Sequence, residues 1–218
     1  MTLDRAFATR THIPLLFLST FDCPADSKQM QFYARKLPSD IGRWSSTLPF
    51  HVTQGALSAN TLTNREIGEQ FQADYILTGD LQLLDEGIRA SVVISQARGG
   101  RQLWARTYQL DGADTSMLID KLAGNIAIAI ALSFHQFEAE RLKDVPEDQL
   151  DAWGLTTLSM RLSMRTGQEA REWLRIGRLA VKRDEDCAEA HANLANGILA
   201  ILLASFDCDI SDEDLKRE

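Results

Sequence analysis

The amino-acid sequence predicts an α/β domain followed by an all-α segment. Two observations predict the α/β part: the first 74 residues alternate between short apolar runs and amphipathic stretches, and residues 73–108 form three strand-like runs separated by turn sequences. The order is β-α-β-α-β-β-β-α. Right-handed crossovers make the first three strands parallel, and two hairpins complete the sheet. After residue 150 only helical patterns remain, which predicts the second segment.

The first strand and the first helix have clear signals. The nearly continuous apolar run His12–Thr20 is typical of a strand buried on both faces. A helix is predicted within Lys28–Thr47, and Pro38 predicts a break or kink in it. The apolar stripe of this helix comprises Met30, Tyr33, Leu37, Ile41 and Trp44, which are spaced by three and four residues.

The remaining elements of the domain follow in order. Thr63 with Glu66 three residues later has the pattern of a capping box, which begins a second helix. The four predicted strands after the first helix are Pro49–Gln54, Asp74–Leu84, Ile88–Gln96 and Gln102–Leu110. One long helix, Ala113–Lys143, closes the domain. Its predicted buried stripe comprises Leu118, Leu122, Ile126, Ile130, Phe134 and Phe137.

The segment Asp144–Leu150 predicts a domain boundary. We expect an amino-terminal extension at 1–11, an α/β domain at 12–143, a linker at 144–150 and helices at 151–218. The predicted helices cover approximately Asp148–Arg165, Gln168–Arg183 and Cys187–Phe206. Three helices are few for a repeat array, so we expect a fragment of a longer protein, or another partner for the last helix.

Charge and composition argue against several classes of protein. The net charge is −8, and the whole acidic excess lies in residues 112–218. A nucleic-acid surface needs clustered Lys and Arg, so none is expected there. The apolar runs Ile126–Phe134 and Ile198–Phe206 are shorter than the roughly 20 residues of a membrane span, and we expect no membrane insertion.

No catalytic, metal or cofactor motif is present in the sequence. Three widely spaced cysteines, Cys23, Cys187 and Cys208, indicate neither a disulfide framework nor a metal site. The four histidines, His12, His51, His135 and His191, lack the spacing of metal ligands, and Ser19 and Ser58 lack the context of a nucleophile. We therefore expect no enzyme activity, no metal and no cofactor in this chain.

Three features of the hairpins have two interpretations each. Asp80 follows Gly79 on a strand and lacks an accompanying base or metal motif, so a structural role is favoured over a catalytic one. The turn Ala97–Arg101, with two glycines, suits a hairpin better than a phosphate-binding loop. Trp104 and Tyr108 on one strand face fit a core better than a stacking platform.

The α/β part resembles a known family. The segments IPLLFLSTFD, QFQADYILTGDLQLLDEGIRASVVISQARGGRQLWARTY and the following helix are similar to the TolB amino-terminal-like domain. That domain occurs in CadC-type regulators and class III adenylate cyclases, often before tetratricopeptide repeats. The residues that carry the resemblance are Ile13, Leu15, Leu16, Phe17, Tyr75, Ile76, Leu77, Gly79, Leu81, Leu103, Trp104, Ala105, Arg106 and Tyr108. It implies a three-layer fold whose five-stranded mixed sheet has the order 2-1-3-4-5, with the fourth strand antiparallel.

The helical segment resembles tetratricopeptide repeats more loosely. Ala188–Ala195 is similar to the start of a repeat helix, and Ala180 occupies a small position of the repeat. Trp173 and Gly177 stand where the repeat has a small residue and then a large one, which is a volume-conserving exchange.

Two functions are open. The first is a non-catalytic regulatory or sensory module that couples a ligand or partner to an output domain elsewhere. By analogy with other α/β sheets, a ligand would bind near Thr20, Phe21 and Asp22, at the carboxyl end of the first strand. The second is a protein–protein adaptor whose helices use Arg171, Arg175 and Arg178 to bind an acidic partner, although a solvated face has the same pattern.

The compartment and the oligomeric state are also open. We expect a cytoplasmic protein or, alternatively, the periplasmic portion of a membrane-anchored regulator. A homodimer through exposed strand edges is a further expectation.

Overall fold

A computed structural model describes residues 13–45, 50–58, 62–112, 114–162 and 166–205. Contacts divide the chain into two units: residues 13–134, and residues 1–12 with 135–218. Each unit is described by itself. The division falls within one long helix, whereas the sequence predicts a linker at 144–150. His12, Pro49, Cys208 and the acidic tail lie outside the described residues.

A five-stranded mixed sheet forms the centre of the first unit. Its strands are β1 Leu15–Thr20, β2 His51–Ser58, β3 Tyr75–Leu84, β4 Gly87–Gln96 and β5 Gln102–Asp111. The order is β2-β1-β3-β4-β5. The β1–β2 and β1–β3 pairs are parallel, and the β3–β4 and β4–β5 pairs are antiparallel. The predicted fold class and strand order are therefore confirmed.

Helices cover both faces of this sheet. They are α1 Lys28–Ser45, α2 Asn64–Phe71 and α3 Thr115–Leu142. On one face Phe17 packs against Phe71 of α2, with ring centroids 4.5 Å apart. On the other face Tyr75 packs against Phe134 of α3, with centroids 4.9 Å apart. Successive residues of a strand point to opposite faces of the sheet. Phe17 of β1 and Tyr75 of β3 point to opposite faces, so α2 and α3 cover opposite sides and the domain has three layers.

The first helix differs from its prediction at two residues. Pro38 lies inside α1, which runs without a break from Lys28 to Ser45. Trp44 does not continue the buried stripe, because its side chain is 57% exposed. It lies at the end of α1, and its ring is the nearest neighbour of Gly124 on α3. The other four residues of the predicted stripe are buried.

The predicted capping box begins α2. The Thr63 hydroxyl oxygen accepts a hydrogen bond from the Glu66 N–H, N···O 3.3 Å, and the Glu66 carboxylate accepts one from the Thr63 N–H, N···O 2.7 Å. These two bonds satisfy donors that the first helical turn leaves unpaired. Removing the Thr63 hydroxyl costs about 1 kcal/mol in comparable helices.

The hairpins follow the predicted pattern with small differences at the strand ends. Alternate residues of β4 are buried, namely Ile88, Ala90, Val92 and Ile94. Gly99 and Gly100 have φ values of 82° and 64°, which explains why the β4–β5 turn contains glycine. Tyr108 is buried and Trp104 is partly buried, as expected for residues facing a core.

The long helix α3 combines a buried stripe with an exposed one. Its buried residues include Leu118, Leu122, Ile126, Ile130 and Phe134, whereas Phe137 is only partly buried. Within the described residues α3 is the one helix long and apolar enough to cross a membrane, with a mean hydropathy of 1.6 over 18 residues. Half of that window is buried within the chain, as in the core helix of a folded domain.

Three helices follow in the second unit: α4 Ala152–Ser159, α5 Gly167–Arg183 and α6 Ala188–Ser205. The first is shorter than predicted. Asp151 caps its start by accepting a hydrogen bond from the Gly154 N–H at 2.7 Å. At its end the Ser159 hydroxyl donates to the carbonyl oxygen of Thr156 at 2.6 Å, and the helix stops.

One glycine on α5 and one on α6 allow these two helices to pack closely. A Cβ atom at Gly197 would lie 2.9 Å from Trp173, and one at Gly177 would lie 3.1 Å from the Cα of Leu194. The Trp173 indole N–H donates to the carbonyl oxygen of Asn193 at 3.1 Å. The two helices are therefore antiparallel and closely packed, with Gly177 opposite a large residue of the facing helix.

Candidate functional site

The carboxyl end of β1 is bound into the sheet. Asp22 forms an isolated parallel bridge with Asp80 of β3. Its N–H donates to the Gly79 carbonyl oxygen at 2.8 Å, and its own carbonyl oxygen accepts from the Leu81 N–H at 2.8 Å. Phe21 is 2% exposed, whereas Thr20 and Asp22 are partly exposed. Ligand binding by these three residues stays a prediction.

The ring of Phe21 fills the space above Gly79. A Cβ atom at Gly79 would lie 2.6 Å from Phe21 Cε2 and 2.6 Å from the carbonyl oxygen of Ser91. Glycine is therefore required here by the ring and by the neighbouring strand. Any ligand at this end of the sheet would meet Thr20, Asp22 and the adjacent Cys23 rather than the ring of Phe21. Burial, with the Asp22 charge, raises the pKa of the Cys23 thiol.

Asp80 belongs to a polar row of the sheet. Its carboxylate accepts a hydrogen bond from the Gln82 side-chain amide, N···O 3.1 Å. The register places it beside Ser91, which in turn pairs with Thr107 of β5. Gln82, Ser91 and Thr107 are not general bases, but Asp22, the bridge partner of Asp80, places a second carboxyl-bearing residue beside it, so the structural role of Asp80 stays a prediction.

The arginine face of α5 is tied to the chain's own carboxylates. Arg175 donates to Glu172 through Nε and Nη2, both at 2.8 Å, and to Glu147 through Nη1 at 3.1 Å and Nη2. These hydrogen bonds raise the pKa of Arg175 and lower that of Glu147. Arg171 and Arg178 are exposed and also have interaction partners. Binding of an acidic partner by these arginines stays a prediction.

A second arginine holds the turn before α4. The Arg183 guanidinium donates to the carbonyl oxygens of Asp148 and Leu150, both at 3.0 Å. Arg175 binds the same turn through its ion pair with Glu147. Part of the basic face of α5 therefore has a structural role that its helical spacing alone does not indicate.

A pocket lies between the end of α3 and the end of α4. It has a volume of about 350 Å³ and is lined by His135, Gln136, Ala139, Glu140, Met160 and Arg161. Ala139 is buried and Met160 is 41% exposed, so both contribute apolar surface. A volume of this size suits a small organic molecule.

The pocket is lined by one acidic, one basic and one histidine side chain. Burial lowers the pKa of His135, so its imidazole is neutral at pH 7 and has one N–H to donate. Glu140 is paired with Lys143, and this hydrogen bond is the main reason for its lowered pKa. Arg161 lies near enough to lower that pKa further. Among the described residues no carboxylate lies within 4.0 Å of the Arg161 guanidinium, so its N–H groups can donate to a bound anion, while Glu140 supplies the one negative charge of the lining.

A buried ion pair lies on the same part of α3. Glu138 is fully buried, and the side chain of Arg141 is 9% exposed. The Arg141 Nε–H is shared between both carboxylate oxygens at 3.1 Å, and Nη2 donates to Oε2. A paired and hydrogen-bonded charge of this kind rigidifies the turn of helix that carries His135 and Glu140.

Sequence patterns do not predict the pocket. Its residues come from a helix end and from a turn about twenty positions later, and Met160 and Arg161 follow α4 only because that helix ends early. His135 is the one lining residue singled out from the sequence, and there only as a histidine without metal-ligand spacing. In the described ranges no group of three or more His, Cys, Asp or Glu side chains is placed to hold a metal ion.

Comparison with known proteins finds likeness only among solved structures. No family model and no curated protein matches the chain. The PelC dodecamer from Paraburkholderia phytofirmans is 12% identical with a TM-score of 0.43, over 57% of this chain and 90% of that one. Lipoprotein GNA1162 from Neisseria meningitidis is 12% identical with a TM-score of 0.41, over 55% of this chain and 99% of that one.

TolB, whose amino-terminal-like domain the sequence resembles, is also among these structures. TolB from Acinetobacter baumannii is 12% identical with a TM-score of 0.39, over 56% of this chain and 28% of TolB. TM-scores below 0.5 at this identity do not indicate an activity, a ligand or a partner. Function is therefore argued from the residues of this chain.

Proposed function

We propose that the chain is a non-catalytic regulatory module that binds a small organic anion and couples this binding to an output domain of a larger signalling protein. The observation that carries the proposal is the pocket of about 350 Å³ at the end of α3, which Arg161 lines. The resemblance to domains of CadC-type regulators and class III adenylate cyclases supports the regulatory part. The output domain would lie outside residues 1–218.

Different lining residues contact different parts of the ligand. Arg161 binds the negative charge, and the N–H groups of Gln136 and neutral His135 donate hydrogen bonds to the ligand. Ala139 and Met160 contact its apolar part. A guanidinium binds a carboxylate or phosphate with two parallel hydrogen bonds, which gives orientation as well as attraction.

The long helix offers a route for coupling. Residues 115–134 of α3 belong to one unit and residues 135–142 to the other, so the helix that carries the pocket residues is also part of the sheet domain. A ligand shifts an equilibrium only through different affinities for two states. We infer that binding selects one conformation of the end of α3.

Calorimetric titration of the purified chain with hexanoate, L-glutamate and inorganic phosphate tests the proposal. We expect saturable binding of at least one of these probes, and at least a tenfold loss of affinity in Arg161→Gln. Arg101→Gln, an exposed arginine in the β4–β5 turn, is the matched control and is expected to bind normally. Equal loss in both variants, or no binding of any probe, would contradict the proposal.

The adaptor function remains the alternative, favoured by one observation. Leu199 and Leu202 of α6 are 52% and 40% exposed, which leaves apolar surface on the last described helix. Binding of a fluorescent acidic peptide, compared between wild type and Arg171→Glu/Arg178→Glu, tests it. Arg175 is left out of the variant because its reversal would also release Glu147 in the turn before α4.

The compartment is a separate proposal with two alternatives, the cytoplasm and the periplasm. Fusion of the full-length protein to alkaline phosphatase, which is active only in the periplasm, distinguishes them.

A further inference from the structure

One surface of the sheet domain is apolar and exposed. Its residues lie on α1 and α3, and each is between 57% and 69% exposed: Phe32, Trp44, Met117, Ile128 and Leu132. We call this surface the α3 patch. Single exposed apolar residues are ordinary, but five large ones on two helices joined by an ion pair point to an interaction site.

The patch is ordered along one side of α3. Residues 117, 121, 124, 128 and 132 are separated by four, three, four and four positions, so they share one face of the helix. This face is about 22 Å long at 1.5 Å per residue. Gly124 lies at its midpoint, where a Cβ atom would meet only the ring of Trp44 at 3.9 Å. α3 therefore presents no side chain of its own at the middle of the patch, where the Trp44 ring is the nearest group.

An ion pair fixes the two helices of the patch relative to each other. Lys36 of α1 binds Asp120 of α3, Nζ···Oδ1 2.8 Å, and also binds Asp40. These hydrogen bonds raise the pKa of Lys36, which keeps it charged. The patch is thus preformed, which reduces the conformational entropy lost when a partner binds. The ion pair also neutralises the charges beside the apolar residues.

We propose that the α3 patch binds a second copy of this chain in a symmetric antiparallel dimer. A twofold axis next to Gly124 would place Met117 of one copy opposite Leu132 of the other, and Lys121 opposite Ile128. Such a patch is self-complementary, which is the requirement for an isologous interface. Glycine at the crossing point leaves the Trp44 rings of the two copies to pack there, and the long stem of Lys121 covers apolar surface while its ammonium reaches solvent.

The exposed area is sufficient for a dimer. Five large side chains at this exposure present roughly 600 Å² per copy, so a pair that buries all of it, including Phe32 and Trp44 of α1, covers about 1,200 Å², the lower bound for a specific interface. We therefore expect a dimer that dissociates on dilution. It differs from the dimer expected from sequence, which would use the strand edges.

Sedimentation velocity of the full chain, over about a hundredfold range of concentration, tests the dimer. We expect the wild type to change from monomer to dimer with concentration. Ile128→Glu/Leu132→Glu and, separately, Gly124→Arg should each weaken association at least tenfold. The matched control is Thr107→Glu/Gln109→Glu on the exposed edge strand β5, which should dimerise like the wild type. Circular dichroism confirms that each variant is folded.

Three outcomes would overturn the proposal. A wild type that stays monomeric at every concentration excludes the dimer. Dissociation by the β5 variant, with no effect of the α3 variants, assigns the interface to the sheet edge. A monomer that binds vesicles of phosphatidylcholine and phosphatidylglycerol, and loses this binding in Ile128→Glu/Leu132→Glu, shows that the patch docks on a lipid surface instead.

Discussion

The backbone N–H of Phe21 donates a hydrogen bond to the carbonyl oxygen of Ala34, N···O 3.1 Å. In an uninterrupted helix that carbonyl would accept from the N–H of residue 38, but Pro38 has none. The chain leaving β1 thus supplies the donor that the proline removes. This bond connects the end of the first strand to the middle of α1 and lets the helix continue past Pro38.

Phe21 also limits the size of the side chain at position 79. We expect Gly79→Ala to lower the free energy of unfolding by about 1–3 kcal/mol, the usual cost of overpacking a core. The new methyl group would meet the Phe21 ring and the Ser91 carbonyl oxygen, both at 2.6 Å. Urea unfolding followed by circular dichroism measures the change.

Gly42→Ala is the matched control for that experiment. A Cβ atom at Gly42 would lie 3.5 Å from Leu18, an ordinary contact, and the residue is inside α1. Alanine is the better helix former, so a gain of about 0.5–1 kcal/mol is expected. If both variants changed stability by the same amount and in the same direction, the steric account of Gly79 would be wrong.

The features that sequence predicts well are those determined by local patterns. The parallel order of β1 to β3 follows from apolar runs alternating with helices, and the start of α2 follows from Thr63 and Glu66. These signals need only neighbouring residues and general rules of chain connection. They were sufficient for the class of fold and the order of its elements along the chain, whereas the strand order 2-1-3-4-5 came from the family resemblance.

The features that sequence misses depend on contacts between distant residues. Pro38 predicts a break in α1, and this prediction is wrong. The N–H that replaces the missing donor belongs to Phe21, 17 positions earlier, and a local pattern does not show it. Trp44 has the spacing of a core residue, but it lies where α1 meets Gly124 of α3. The pocket around His135 and Arg161 requires knowing where α4 ends. Each depends on tertiary packing, which overrides a local pattern.

The buried ion pair of α3 predicts unequal effects of single and double substitutions. We expect Arg141→Met to lower the free energy of unfolding by about 3–5 kcal/mol, because it leaves the Glu138 carboxylate buried without its main cation. Glu138→Leu/Arg141→Met should recover most of this loss, since it removes both charges. Urea unfolding of the two variants measures the difference, and a double variant as unstable as the single one would contradict the explanation.

The close approach of α5 and α6 predicts a steric limit at Gly197. A Cβ atom there would lie 2.9 Å from Trp173 and 3.3 Å from the Cα of Leu174. We expect Gly197→Ala to lower the free energy of unfolding of the helical segment by about 1–3 kcal/mol. Because the new atom is closest to the indole, a change in tryptophan fluorescence should accompany the loss. Unchanged fluorescence and unchanged stability would show that the two helices are less closely packed.

His135 predicts how acid affects stability. Burial lowers its pKa below the usual 6.5, so the unfolded chain takes up the proton more readily than the folded one. The charges near it in the pocket are those of Glu140 and Arg161. Well above pH 6.5 the residue is neutral in both states and has no effect on the pH dependence. As the pH falls below this value, the free energy of unfolding decreases.

Substitution of this histidine tests the sign of the effect. We expect His135→Gln to lose less stability than the wild type between about pH 7.5 and about pH 5.5, because glutamine has no proton to take up. His51→Gln, at an exposed position in β2, is the control and should keep the wild-type pH dependence. Urea unfolding at several pH values gives the comparison. A wild type that becomes more stable as the pH falls, with His135→Gln removing that gain, would mean that the folded pocket favours the imidazolium and that burial is not the dominant influence on His135.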